Sequence, residues 1–250
     1  MANYDISVPV GTVRVASRPG ATTDGNQTGV RISKYGGQFV VAEQTGKAAS
    51  YCEEGSYFVA TNATLGTAIT GTAAPTSFSA TVALMSIFNS AATGGKSITL
   101  DYLRLYPKAA GTNGTNFQYA MSTDRINRFS SGGTAITPVN ANVNSDAVSA
   151  ATINFGALTA AAAGAKVVRL SHGQLRSVIK VIGDVYEFKF GDSGAWSSSG
   201  MPLEGTLQAN IVQRVPPCVL PPGCSLLLHE LAASQSVAAT YEFELGYWER

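Results

Sequence analysis

The last strongly patterned segment of the chain, residues 240–248, most constrains what the chain can fold into. Its large apolar residues Tyr241, Phe243, Leu245 and Tyr247 occupy every second position. A period of two is typical of a β-strand with one face in a core and the other toward solvent. Because the chain ends two residues later, we expect this strand to be held inside its sheet, and the sheet to pack against a second layer.

Similar short segments recur along the chain, separated by turns rich in Gly, Asn and Pro. The predicted strands are residues 38–43, 57–61, 79–88, 96–108, 116–123, 184–190, 205–215 and 225–231, with a short one at 152–155 inside a long polar excursion over 127–165. The best helix candidate is short, over residues 171–180. Many short strands with almost no helix predict an all-β fold, an antiparallel β-sandwich of jelly-roll type with long loops.

The apolar faces of the strongest strands define the expected core. In residues 97–106, for example, the larger side chains of Ile98, Leu100 and Tyr102 alternate with Thr99 and Asp101. The residues predicted to lie in the core are Leu100, Tyr102, Tyr186, Phe188, Phe190, Tyr241, Phe243 and Leu245.

The chain divides into two unequal parts. Residues 1–36 are rich in Gly, Asn, Thr and Asp, which favours an extended N-terminal arm with one short strand near residues 8–15. Segments of this kind rarely fold alone. We therefore expect an arm over residues 1–36 and a single sandwich domain over residues 37–250.

The charge content excludes several classes of partner. Charged residues make up only 13% of the chain and the net charge is +1, against about 25% charged residues in an ordinary globular protein. Nucleic-acid coats and electrostatic membrane binders need a basic excess, so neither partner is expected. The first residues lack the regions of a signal peptide, and no apolar run is long enough to cross a bilayer, so we expect a soluble protein made in a cytoplasm.

The three cysteines do not suggest a disulfide framework, because their number is low and odd. Cys218 and Cys224 bracket a Pro-Pro-Gly segment, and they either face each other or are small buried apolar residues. A metal site is disfavoured, since there is no Cys-x-x-Cys and no nearby histidine pair. No cofactor is expected.

The residues that could carry catalysis are few. Gly191-Asp-Ser-Gly194 resembles the nucleophile loop of chymotrypsin-like proteases, but no histidine precedes His172, so a turn after a strand is the preferred interpretation. His172 is expected in a turn or at the surface, and His229 on a strand. Carboxylate pairs for glycoside hydrolysis could only be drawn from Glu187, Glu204, Glu242 and Glu244, and solvation on the outer face of an edge-like strand is expected for the last two. We predict no enzymatic activity.

Partner binding offers a second set of candidates. Trp196 lies in a polar Gly-Ala-Trp-Ser-Ser-Ser segment, where it could stack on a sugar, dock into a partner or fold back on its own core. The N-terminal arm carries Arg14, Arg18 and Arg31. Together with Trp196, these three arginines are the candidate partner-binding residues.

The C-terminal third bears a resemblance to a known class. Residues 219–229, Val-Leu-Pro-Pro-Gly-Cys-Ser-Leu-Leu-Leu-His, and residues 241–250, Tyr-Glu-Phe-Glu-Leu-Gly-Tyr-Trp-Glu-Arg, resemble the closing strands of tailed-bacteriophage virion proteins. In particular, they are similar to jelly-roll head-decoration, or cement, proteins. The resemblance implies a structural protein on the capsid surface, commonly a homotrimer, that bridges subunits of the major capsid protein. The alternative is a tail module that binds a receptor or glycan.

Overall fold

The computed structural model describes residues 47–112, 115–160, 168–176, 180–191, 210–233 and 235–250. These residues contain one short helix and fourteen strands. In chain order they are α1 (Lys47–Glu53), β1 (Tyr57–Thr61), β2 (Ile69–Thr70), β3 (Val82–Asn89), β4 (Ile98–Ala109), β5 (Thr115–Asp124), β6 (Phe129–Ile136), β7 (Val139–Asn140), β8 (Ala151–Ala160), β9 (Val168–Arg176), β10 (Val185–Phe190), β11 (Asn210–Val215), β12 (Val219–Leu220), β13 (Ser225–Ala233) and β14 (Thr240–Glu249).

The strands form two sheets packed against each other, which confirms the expected all-β sandwich. The first sheet has the order β11-β10-β4-β14-β1-β7, with β12 paired to β4 and β2 paired to β14. The second has the order β6-β8-β3-β13-β5-β9. Neighbouring strands are antiparallel except β10 and β11, which are parallel and so need a long crossover between them. The last strand, β14, lies inside its sheet between β4 and β1, as its apolar pattern predicts.

Aromatic side chains from both sheets meet in the core. Phe155 of β8 stacks on Phe243 of β14 with ring centroids 4.4 Å apart, and Tyr119 of β5 meets Phe188 of β10 edge to face at 5.5 Å. Offset and edge-to-face pairs at these distances stabilise a core beyond the area they bury. Most of the predicted core is confirmed as buried: Leu100, Tyr186, Phe188, Phe190, Tyr241, Phe243 and Leu245.

The prediction for Tyr102 is wrong, because β4 contains a β-bulge. Leu100 pairs with Tyr247 and Tyr102 pairs with Gly246, which leaves Asp101 as an extra residue in β4. The extra residue moves the inward positions of β4 from even to odd numbers. Tyr102 is therefore half-buried on the outer face of the first sheet.

The helix predicted over residues 171–180 is also wrong. Residues 171–176 belong to strand β9, which pairs with β5. A register shift opposite Met121 and Ser122 interrupts the alternation of side chains in β9, so the sequence shows no clean period of two.

The excursion over residues 127–165 holds more structure than expected. It contains β6, β7 and a longer β8 in place of a single short strand. Six of the eight residues of β6 are exposed, so the strand has no buried face for an apolar pattern to report. Helix α1 was not predicted either.

A core truncation tests the assignment of the buried face of β10. Phe188→Ala should lower the free energy of unfolding by about 3–5 kcal/mol, because it removes a fully buried ring that the core cannot replace. Denaturant unfolding measures the change. The matched control is Lys189→Ala, on the opposite and exposed face of the same strand, with an expected change within about 0.5 kcal/mol. A loss below about 1 kcal/mol for Phe188→Ala would contradict the assigned face.

Candidate functional site

The four residues proposed from the sequence to bind a partner cannot be assigned a place in this fold. Arg14, Arg18, Arg31 and Trp196 lie outside the described residues, as does the whole arm over residues 1–36. The candidate site is therefore formed by other side chains.

Only the first residue of the Gly-Asp-Ser-Gly motif is described. Gly191 directly follows β10, has a φ of +74°, and donates its N–H to the carbonyl oxygen of Val215 at 2.9 Å. Glycine adopts this left-handed conformation without strain, so Gly191 ends the strand as a turn residue would. The serine lies outside the described residues.

His229 is a buried structural histidine of β13. Its Nδ1 donates to the carbonyl oxygen of Val82 at 2.7 Å, so its Nε2, 2.8 Å from the hydroxyl of Ser122, accepts a hydrogen bond in the neutral ring. Burial lowers the pKa of His229, and the charge of Arg128 acts in the same direction. Both ring nitrogens are occupied, so His229 is a satisfied strand residue.

The second histidine is at the surface, as expected, but on a strand. His172 of β9 is exposed and donates from Nε2 to the side-chain oxygen of Gln118 at 2.7 Å. Among the described residues, no group of three or more His, Cys, Asp and Glu side chains could hold a metal ion.

The three cysteines are free thiols. Cys218 lies in the core and Cys224 packs against it, in agreement with the apolar alternative for this pair. Burial raises the pKa of Cys218 to about 12. A thiol with that pKa stays protonated at neutral pH and is a poor nucleophile.

The outer face of the first sheet carries a row of ion pairs. Arg104 of β4 lies between two carboxylates, 3.1 Å from Glu187 of β10 and 3.6 Å from Glu244 of β14. On the same face, Lys108 is 3.0 Å from Glu242. Because β14 is an inner strand rather than an edge-like one, Glu242 is buried and Glu244 half-buried instead of fully solvated.

These carboxylates do not form an acid–base pair suited to glycoside hydrolysis. The guanidinium group of Arg104 lies between Glu187 and Glu244 and forms an ion pair with each. Hydrolysis of that kind needs two carboxyl groups facing an open cleft, one of them protonated. Glu204, the remaining candidate, lies outside the described residues.

Aromatic rings continue this outer face toward helix α1. Trp248 of β14 contacts Tyr51 of α1 and Tyr57 of β1, with ring centroids 4.9 Å and 6.3 Å apart. Arg250 lies over the ring of Tyr51 at 4.6 Å, within the range of a cation–π interaction. Tyr51 and Trp248 are half-buried, so this cluster presents aromatic surface that could stack on a planar or sugar ligand.

Gly246 makes the close packing of this face possible. A Cβ atom at Gly246 would overlap the ring of Tyr102 and the hydroxyl of Tyr57. The hydroxyl of Tyr57 donates to Asp101 at 2.7 Å, and that of Tyr102 donates to Glu244. Burial, followed by these carboxylate contacts, raises the pKa of both tyrosines, so they remain hydrogen-bond donors at neutral pH.

A shallow groove of about 440 Å³ lies between residues 62–70 and the strands β6 and β8. Its lining is Asn, Ala, Thr, Ile and Gly, with no charged side chain. Such a lining offers neither an acid–base pair nor cations for a phosphate.

A buried polar network crosses the core between the sheets. Lys180, just before β10, contacts the carboxylate of Glu230 on β13. The hydroxyl of Tyr241 on β14 donates to the other oxygen of Glu230 at 2.7 Å, and Tyr119 on β5 donates to Tyr241 at 3.2 Å. All four side chains are buried. Burial, followed by the charge of Glu230, holds the pKa of Tyr119 and Tyr241 well above the ordinary range, so both stay protonated.

The sequence contained one signal for this network that the interpretation missed. Glu230 follows Leu226-Leu-Leu-His229 in an otherwise apolar strand. A charged residue inside an apolar run is almost never fully buried unless it is paired. Its partner Lys180 lies 50 residues earlier, and no local pattern connects the two.

The comparisons with known proteins give no relative. No family model, no curated protein and no solved structure matches this chain. Within the described residues, no helix is both long and apolar enough to span a membrane.

The buried His229 predicts a specific dependence of stability on pH. Its lowered pKa means that, below about pH 6.5, the unfolded chain binds a proton that the folded protein excludes. The free energy of unfolding should therefore fall as the pH falls from about 6.5 toward the lowered pKa. Unfolding of the wild type and of His229→Gln at several pH values tests this, with the exposed His172→Gln as the matched control. An equal pH slope in wild type and His229→Gln would contradict it.

Proposed function

We propose that this protein is a non-enzymatic structural protein of a tailed-phage particle. In this proposal it is a capsid cement or decoration protein, bound on the capsid surface across junctions between major capsid protein subunits. The proposal rests on the resemblance of residues 219–229 and 241–250 to such proteins, and on the architecture and surface of the sandwich.

We infer that eight of the strands form the jelly roll expected from the sequence. They are ordered β1-β14-β4-β10 in the first sheet and β3-β13-β5-β9 in the second. In chain order, β1, β3, β4 and β5 alternate between the two sheets, and β9, β10, β13 and β14 do the same. In each sheet, the strand that comes first in the chain lies next to the strand that comes last, β1 next to β14 and β3 next to β13. This arrangement is that of a roll of two interlocked Greek keys. In this interpretation β6, β7, β8 and β11 extend the two sheets.

The observation that carries the docking proposal is a set of three exposed valines, one on β7 and two in the segment that follows it. Val139, Val143 and Val148 have 61%, 94% and 89% of their surface exposed. We call the surface formed by these three residues the valine edge. Contiguous exposed apolar surface marks a site of contact with another protein, and we infer that these three residues form such a surface, which another subunit covers.

The valine edge is firmly attached to the sandwich. Asn140 donates to the carbonyl oxygen of Gly55 at 2.8 Å, and Asn142 donates to that of Glu53 at 3.2 Å. At the other end of this segment, just before β8, the backbone N–H of Ala150 donates to the carboxylate of Glu249 at 2.9 Å. These bonds tie the chain to the sandwich on both sides of Val143 and Val148, which would lower the entropy lost on binding.

The proposed assembly is a homotrimer, with the arm over residues 1–36 reaching a neighbouring subunit. Closed symmetric assemblies are the usual form of protein oligomers. A trimer that spans several capsid subunits would combine many modest contacts into strong attachment. No nucleic-acid or membrane partner forms part of this proposal.

A second candidate function is a tail module that binds a receptor or glycan. The aromatic cluster favours it, since Tyr51 and Trp248 are half-buried and rings at a surface are suited to stacking on sugar rings. The two functions differ in copy number. A cement protein covers the whole capsid, whereas a tail module is confined to one vertex.

Reconstitution onto particles that lack the protein tests the proposal. Purified wild-type protein should saturate near one copy for each capsid subunit, measured by quantitative mass spectrometry of washed particles. It should also raise the resistance of the particles to heat. Saturation at a few per cent of that ratio would contradict the cement function and favour the tail module.

Paired variants test the docking surface in the same assay. Val143→Asp with Val148→Asp should greatly reduce binding, because it introduces charge into the covered apolar contact. The matched control is Ile182→Asp with Val219→Asp, which changes two exposed aliphatic residues elsewhere. Full binding by the valine variant, with an unchanged circular dichroism spectrum, would exclude the valine edge.

A further inference from the structure

The contact between Lys180 and Glu230 joins a primary amine to a carboxyl group in the centre of the molecule. The side chains of both residues are almost entirely buried, with 1% and 0% of their surface exposed. We propose that Lys180 and Glu230 become joined by an intramolecular isopeptide bond, formed by the folded protein without a second enzyme.

The surroundings of the pair are those that amide formation needs. The Nζ of Lys180 lies over the rings of Phe117 and Tyr241, 4.8 Å and 5.6 Å from their centroids. Aromatic walls exclude water from the reacting atoms. Two groups held in contact react as if at very high concentration, with effective molarities that reach about 10⁵–10⁸ M in well-oriented cases.

The tyrosine at the carboxylate supplies the electrostatic stabilisation. The hydroxyl of Tyr241 donates to Oε2 of Glu230, and Tyr119 donates in turn to Tyr241. When a nucleophile adds to the carboxyl carbon, negative charge grows on Oε2. A donor already in place at that oxygen lowers the barrier, as in an oxyanion hole.

The step balances without any added reactant. One proton first passes from the ammonium group of Lys180 to Oε1 of Glu230, with which it is in contact, and this frees the lone pair on the nitrogen. The nitrogen then forms a bond to Cδ of Glu230, and the bond from Cδ to Oε1 breaks. Of the three protons on the ammonium group, one stays on the amide nitrogen and two leave with Oε1 as water. Oε2 becomes the amide carbonyl oxygen and keeps its hydrogen bond from Tyr241.

Burial favours the product over the starting pair. Holding an ammonium group and a carboxylate in a dry core carries a desolvation penalty that their mutual attraction offsets only in part. The amide is neutral and its oxygen is already satisfied by Tyr241. Exclusion of water from the site also hinders hydrolysis of the bond once it has formed.

The cross-link would tie the two sheets covalently. Lys180 stands just before β10 in the first sheet, and Glu230 lies on β13 in the second. A covalent bond between the sheets limits their separation on unfolding, as any cross-link does by restricting the unfolded chain. This inference does not depend on the proposed capsid function.

The intact mass of the full chain tests the proposal directly. Under denaturing conditions, wild-type protein should be lighter than its sequence by one water molecule, after allowance for any removal of Met1. Protease digestion should yield a branched peptide that joins Lys180 to Glu230. A wild-type mass equal to that of the sequence would overturn the proposal.

Two variants separate the chemistry from the folding. Lys180→Arg keeps the charge and should give the full sequence mass, because a guanidinium group is a poor nucleophile. Tyr241→Phe removes the donor to Oε2 and should slow the loss of water relative to wild type, when chain recovered unfolded from insoluble expression is refolded and its intact mass is followed with time. Loss of one water in Lys180→Arg would place the bond elsewhere and contradict the assignment.

Discussion

The hydrogen bond between Tyr241 and Glu230 is the constraint on which the centre of this fold depends. It joins the inner strand β14 of one sheet to the inner strand β13 of the other, with 2.7 Å between the two oxygens. A carboxylate in an apolar core is tolerated only when its hydrogen-bonding and charge requirements are met locally. Tyr241 and Lys180 meet them, so the relative position of the sheets is fixed by polar contacts as well as by apolar packing.

Much of the sandwich could be predicted from alternation alone. Residues such as Tyr186, Phe188 and Phe243 lie on strands with one buried face, and a period of two reports that face directly. Alternation does not reveal the buried face where a β-bulge interrupts the strand or where the strand has no buried face. The bulge at Asp101 reverses the phase of β4, and the exposed strand β6 has no apolar face.

The polar network and the outer face could not be predicted in the same way. Lys180 and Glu230 are distant in sequence, and only the pairing of whole sheets brings them together. Likewise Arg104 meets Glu187 and Glu244 because three separate strands share one register. Long-range register depends on the sum of many weak preferences, so a single segment does not reveal which charges will become neighbours.

The core and the surface of the molecule contribute differently to its properties. The core supplies rigidity through aromatic packing and the buried network. Exposed apolar residues of the described surface include Leu65, Val143 and Val148, which lie outside the strands. A rigid scaffold that displays loops is typical of proteins that bind other molecules, and this division agrees with the proposed structural role.

A double-mutant cycle between Tyr241→Phe and Glu230→Leu most directly tests the central claim that this contact joins the sheets. The cycle is measured in the Lys180→Arg background, in which Glu230 remains a carboxylate. Hydrogen bonds to charged groups contribute about 1.5–3 kcal/mol, so the two changes should show a coupling energy of at least about 1.5 kcal/mol in the free energy of unfolding. If the double mutant loses the sum of the two single losses in free energy of unfolding, to within about 0.5 kcal/mol, the two side chains act independently. That result would contradict the claim.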